Sequence, residues 1–131
     1  MRRRTPKASD PFHRVRAVGL TLPGVETGTK YDGSPVLKVG GAFMAGLATH
    51  PSAEPATIVV RVDLEERAAL LAEAPDTYYL TDYYERHPVV LARLSRIDRD
   101  ALRDLLSVSR RLTLEKSRTR PVHRPPTYAL W

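Results

Sequence analysis

The sequence predicts an α+β fold, an antiparallel sheet of about five strands with helices packed on one face, in the order α-β-β-β-α-β-β-α. Two observations carry this. The hydrophobic period switches between helical and alternating along the chain, and the β-like runs come in consecutive groups joined by turn residues rather than alternating singly with helices. A third observation fits one core: the chain has 131 residues and no internal repeat.

The first helix is expected in SDPFHRVRAVGLTLPG. Asp10 suits an N-cap and Pro11 the first helical position, and Phe12, Val15, Val18 and Leu22 recur at helical steps until Pro23 and Gly24 stop them. Two strands follow in PVLKVGGAFMAGL, turned by Gly40-Gly41, a pair that accepts the positive φ angles of a tight hairpin. The polar loop ATHPSAEPA leads to a third strand in ATIVVRV.

Asp63 opens a second helix with Glu66 as its capping-box partner, and Pro75 closes it. TYYLT and PVVLARLSRI read as two further strands joined by DYYERH. The last helix begins near Asp98 and is expected to end about Leu114, so residues 10–114 form the domain. A basic arm (1–9) precedes it and a basic, proline-rich tail (115–131) follows, expected to be extended or disordered apart from its aromatic end.

The stretch GVETGTKYDGSP resembles the vocabulary of a phosphate-binding loop, but its spacing rules that out. Such a loop needs Gly, four residues, Gly and then Lys, between a strand and a helix. Here three residues separate Gly24 from Gly28, Thr29 stands before Lys30, and Pro35 and a strand follow. The glycines are expected to turn the chain from helix to sheet.

Composition excludes other classes. With 42% apolar and 27% charged residues the chain is neither a disordered nor a membrane composition, and no apolar run approaches a membrane span. A cytoplasmic location is expected, because the basic N-terminus has no hydrophobic segment behind it, and the chain is expected to be a monomer. There is no cysteine, and the four histidines lack helical ligand spacing, so no metal or other cofactor is expected.

Charge is uneven. Residues 1–16 carry six Arg or Lys against Asp10 alone, and residues 93–131 carry ten against four acids. The span between them holds five basic and ten acidic residues. Basic ends suit a polyanion. At 100° per residue, Arg99, Arg103 and Arg110 fall within about 40° of one another on the last helix, away from the arc of Ala101, Leu102, Leu105, Ser109 and Leu112. Such a stripe can follow a phosphate backbone or be a solvated face, with Asp100, Asp104 and Arg111 beside it.

Strand alternation puts Ile58, Val60, Val62, Val90, Ala92 and Leu94 on one sheet face. Lys38, Arg61 and Arg93 then share the other with apolar neighbours, a contact surface for nucleic acid or protein unless Tyr128 or Trp131 of the tail plugs it. Catalytic candidates are few: His87 with Glu26 or Asp32 would make a base pair, yet no spacing joins them and no Gly-x-Ser-x-Gly is present, so an enzyme is not expected. Tyr78, Tyr79, Tyr83 and Tyr84 suit core and rim. Six carboxylates between Glu65 and Glu85 read as caps and helix surface rather than a metal site.

Three stretches also carry a family resemblance: LTLPGVETGTKYDGSPVLKVGGAFMAGL, VVRVDLEERAALLAEAPDTYYLTDYYERHPVVLARL and IDRDALRDLLSVSRRL. Together, over residues 12–114, they resemble the MmcQ/YjbR family of small bacterial proteins. The resemblance implies a compact α+β domain of CyaY-like, frataxin-like shape, of the double-wing DNA-binding type. Ala42 stands where the family usually has Lys, and Val89 where an aromatic is common. The expected function is sequence-independent, non-enzymatic DNA binding through phosphates, with Arg99, Arg103, Arg110, Lys38, Arg61 and Arg93 as contacts; the alternative is a protein-interaction module.

Overall fold

The computed structural model describes residues 10–119; the arm and the tail from residue 120, including Tyr128 and Trp131, lie outside the described residues. In chain order the elements are α1 (His13–Gly19), β1 (Val25–Thr29), β2 (Pro35–Val39), β3 (Ala42–Leu47) and β4 (Thr57–Arg61). They continue with α2 (Leu64–Glu73), β5 (Tyr78–Tyr79), α3 (Asp82–Glu85), β6 (Val89–Arg93) and α4 (Arg99–Thr119). The strands form one sheet in the order β1-β2-β3-β4-β6-β5, and every neighbouring pair is antiparallel.

The α+β class stands, with one strand more than the sequence suggested. Val25–Thr29, read as a turn, pairs with β2 from Val25↔Val39 to Thr29↔Pro35. Only Val25 of its five residues is buried, so the strand has no alternating pattern of its own. Gly24 and Gly33 do turn the chain, at φ of 77° and 86°. Gly28 instead lies inside β1. Gly40 and Gly41 both have positive φ, 60° and 80°, as the β2–β3 hairpin requires.

Helix termini follow local chemistry. The α1 helix starts later than expected: Asp10 Oδ1 accepts the Phe12 N–H at 3.0 Å, forming a turn ahead of the helix rather than its cap. Asp63 caps α2 by accepting the Glu66 N–H at 2.8 Å. Asp98 likewise accepts from Ala101 N at 2.8 Å. The α4 helix passes the expected end at Leu114 and continues to Thr119.

The main core lies between the sheet and three helices. Phe12 just ahead of α1, Val15 and Val18 of α1 and Leu102, Leu105 and Leu106 of α4 meet Leu37, Met44, Ile58, Val60 and Val90 of the sheet. The α2 helix adds the half-buried Leu70 and Leu71. Each fully buried side chain of this size contributes roughly 1.5–3 kcal/mol before entropy is counted. Ser109, wholly buried, donates to the Met44 carbonyl at 3.0 Å and pins α4 to the middle of the sheet.

Three helices pack on one face as expected, and the far face carries only the four-residue α3. On the far side Val36, Phe43, Val59, Val89 and Leu91 gather around Tyr84 of α3, whose side chain is fully buried. Tyr84 also accepts the His50 N–H at 3.1 Å through its hydroxyl, tying α3 to the β3–β4 loop.

Candidate nucleic-acid interface

The Arg stripe lies on the flank of α4 beside α1. Arg99 and Arg103, one turn apart, are exposed and make no hydrogen bond or ion pair among the described residues. Arg96, just ahead of the helix, is exposed as well. Arg110 continues the stripe but is half-buried, and its Nε donates to the Pro23 carbonyl at 2.6 Å, where α1 gives way to β1.

Neighbouring cations on α1 are also occupied. Arg14 donates through Nη2 to the Leu94 carbonyl and, at 2.8 Å, to the Ile97 carbonyl, bracing the loop that launches α4. Arg16 stands 3.6 Å from Asp10 and 5.5 Å from the Phe12 ring centroid. These residues add positive field to the flank while holding its shape.

The negative charge gathers on another side. Burial, and then the charges of Glu73, Asp98, Asp104 and Glu66, push the Tyr78 hydroxyl above its ordinary value. Glu66 and Glu73 of α2, Asp104 of α4 and Asp98 just ahead of it thus act on the β5 side of the molecule. The result is a helix with a basic flank toward α1 and an acidic environment toward α2 and β5.

Lys38, Arg61 and Arg93 do lie on the sheet face of Val59 and Leu91, as alternation required. That face is not open, because α3 packs on it. Arg61 is only 8% exposed, its Nε donating to the Phe43 carbonyl at 3.0 Å, and burial lowers its pKa. Arg93 grips Glu54 and also donates to the Asp76 carbonyl at 2.9 Å. Lys38 is half-buried opposite Glu26, its stem crossing Gly28, where an added Cβ would stand 3.4 Å from Lys38 Cε. Of the six expected contacts, Arg99 and Arg103 are exposed, Lys38, Arg93 and Arg110 are half-buried, and Arg61 is buried.

Sequence reasoning missed a cluster at one end of the far sheet face. The His50 and Tyr83 rings stack 3.7 Å apart with 10° between their planes, and Tyr84 meets both edge-on. The Tyr83-Tyr84 doublet was its one visible signal; Tyr84 is core and Tyr83 is rim. Lys30 was missed too: 4% exposed, it donates from Nζ to Thr49 Oγ1 at 3.3 Å.

Glu26 and Asp32 belong to the edge hairpin, whereas His87 precedes β6, four strands away. At the usual strand spacing that separates them by about 19 Å, so the catalytic pairing the sequence left open does not form. Among the described residues no three potential metal-ligating side chains gather, and no helix is long and apolar enough to cross a membrane.

The architecture defines a small α+β domain with a six-stranded antiparallel sheet covered on both faces. The profile of the YjbR family matches residues 20–112, from just past α1 into the fourth turn of α4, and the chain belongs to that family. Comparison with curated proteins and with solved structures gave no match.

Proposed function

We propose that the protein is a non-enzymatic, cytoplasmic DNA-binding domain that contacts phosphates without reading sequence. The observation that carries this reading is Arg99 and Arg103, exposed one turn apart on the flank of a 21-residue helix. Each guanidinium offers a planar fork of donors to phosphate oxygens and displaces condensed counterions. Arg96 extends the same exposed strip.

Phosphate contact alone makes binding steeply salt-dependent. Three contacts would weaken affinity roughly 40-fold between about 50 and about 200 mM salt. Fluorescence anisotropy with a labelled duplex of arbitrary sequence measures this. An affinity that stays flat over that range rejects the proposal.

A second reading, a protein-docking module, rests on the acidic surroundings of Tyr78. Capture of a basic protein partner from nuclease-treated lysate, with no duplex binding, would favour it.

A further inference from the structure

Among the described residues the sheet has two borders, and they differ. The β5 border is two residues long, too short to template another strand. The β1 border is five residues long, with β2 on one side and no strand on the other. It contains no proline, no lysine and no bulge, the devices that usually blunt an open edge, and its one charge is Glu26.

The β1–β2 register fixes which backbone groups point outward. Lys30 N–H donates to the Ser34 carbonyl at 2.9 Å, which continues that register by one pair. Hydrogen-bonded pairs alternate along an antiparallel ladder, so Gly28 and Glu26 turn their backbone groups toward β2 while Thr29, Thr27 and Val25 turn theirs away. Pro35, which has no N–H, agrees with this by standing opposite Thr29, and the Val25 N–H is taken by the Leu22 carbonyl at 3.3 Å. Thr27 and Thr29 share the helix side of the strand with the core residue Val25, yet both are exposed, so α1 stops short of the border and leaves room beside it.

The strand is complementary to itself. Antiparallel pairing about Thr27 sets Thr27 against Thr27, Val25 against Thr29 and Glu26 against Gly28, so no charge meets its like. The same axis matches the outward groups: Thr27 N–H of each copy reaches the Thr27 carbonyl of the other, and Thr29 N–H reaches the Val25 carbonyl. Apolar surface matches too. Two of the three most exposed large apolar side chains among the described residues bracket β1, Leu20 at 48% just past α1 and Tyr31 at 80% in the β1–β2 turn. Antiparallel pairing brings the Tyr31 turn of each copy beside the corner of the other, where Leu20 and Pro23 are exposed.

We propose that β1 is a homodimer interface, at which two copies of this chain join border to border about a two-fold axis at Thr27 and continue one sheet from copy to copy. An axis perpendicular to the sheet uses up the open edge of both copies, so assembly closes at the dimer. Pairing of five-residue strands buries little surface, so the association is weak and reversible, and the monomer expected from the sequence is its dilute form. Arg96, Arg99 and Arg103 take no part, so the assignment stands apart from DNA binding.

Sedimentation equilibrium of the full chain, from micromolar to millimolar concentration and without nucleic acid, tests this, and a monomer–dimer equilibrium is expected. Thr27 is exposed and makes no ladder bond to β2, so Thr27→Lys should fold; circular dichroism checks that. It sets two ammonium groups face to face and should weaken the dimer at least about tenfold, with Thr27→Glu acting alike. Mixing the Lys and Glu variants should restore association, and Arg99→Ala should leave it unchanged. Monomer throughout the range, assembly beyond the dimer, a dimer indifferent to Thr27→Lys, or no recovery in the mixture of folded variants overturns the proposal.

Discussion

Arg93 of β6 holds Glu54 of the β3–β4 loop by two parallel bonds, Nε to Oε1 at 2.9 Å and Nη2 to Oε2 at 2.8 Å, while its guanidinium lies 4.2 Å from the Tyr79 ring centroid. A residue expected to meet phosphate instead staples a loop to the sheet. The bond from Arg93 holds the Glu54 carboxyl below its ordinary value of 4.5. A depressed carboxylate contributes stability that is complete above the unfolded value and lost as pH falls through the folded one. Glu54→Gln should therefore lose a little stability at pH 7, little because the pair is exposed, and its difference from the parent should vanish as pH falls below about 4.5, which flattens the acid limb. Urea unfolding at a series of pH values checks this; an unaltered acid limb contradicts it.

Lys30 has the opposite character. Burial pushes its ammonium below the ordinary 10.5, with Asp32 pulling weakly back. Its stability contribution is full above the unfolded pKa, where both states are neutral, and falls as pH drops through the folded pKa. At neutral pH the chain therefore bears the cost of a charge taken out of water. Lys30→Met should be more stable than the parent at pH 7, with the difference shrinking toward pH 10.5. Equilibrium unfolding at both values measures it.

The basic flank separates two kinds of arginine. Arg99→Ala and Arg103→Ala should each reduce the slope of log affinity against log salt by about 1, leaving thermal stability nearly unchanged. Arg110→Ala should lower stability by about 1 kcal/mol through loss of its bond to the Pro23 carbonyl. Salt titrations and melting curves on the three variants distinguish contact from anchor.

Packing predicts an ordering of glycine substitutions. A Cβ on Gly19 would stand 2.4 Å from Leu37 Cδ1, and Leu37 is fully buried, so Gly19→Ala should cost about 1–3 kcal/mol by overpacking. Gly41→Ala meets nothing within 4 Å, yet its φ of 80° alone should cost about 1–2 kcal/mol. Leu106→Ala, on the core face of α4, should cost more than Gly41→Ala, about 2–5 kcal/mol. Urea denaturation ranks the three.

Legibility in the sequence followed the strength of the local signal. The Gly40-Gly41 turn, the Asp63 cap and the alternation of Ile58, Val60 and Val62 each contain their own instruction, and each was readable. The β1 strand was not, because VETGT is extended by pairing with β2 rather than by a buried face of its own. The site was half legible: helical geometry brought Arg99, Arg103 and Arg110 together, but the partners of Arg61, Arg93 and Arg110 are carbonyls or a loop acid distant in the chain. Sequence spacing says nothing of such partners, so a cation in a strand cannot be told from a staple until the fold is known.

The two-sided covering of the sheet gives β4 a special standing. All five of its residues are buried, with β3 on one side and β6 on the other. In heavy water the amides of Val59 and Val60 should keep their protons longest, surrendering them only when the whole domain opens, while the border strand β1 gives up its own early. The slowest amides would then measure how firmly the two layers clasp the strand between them.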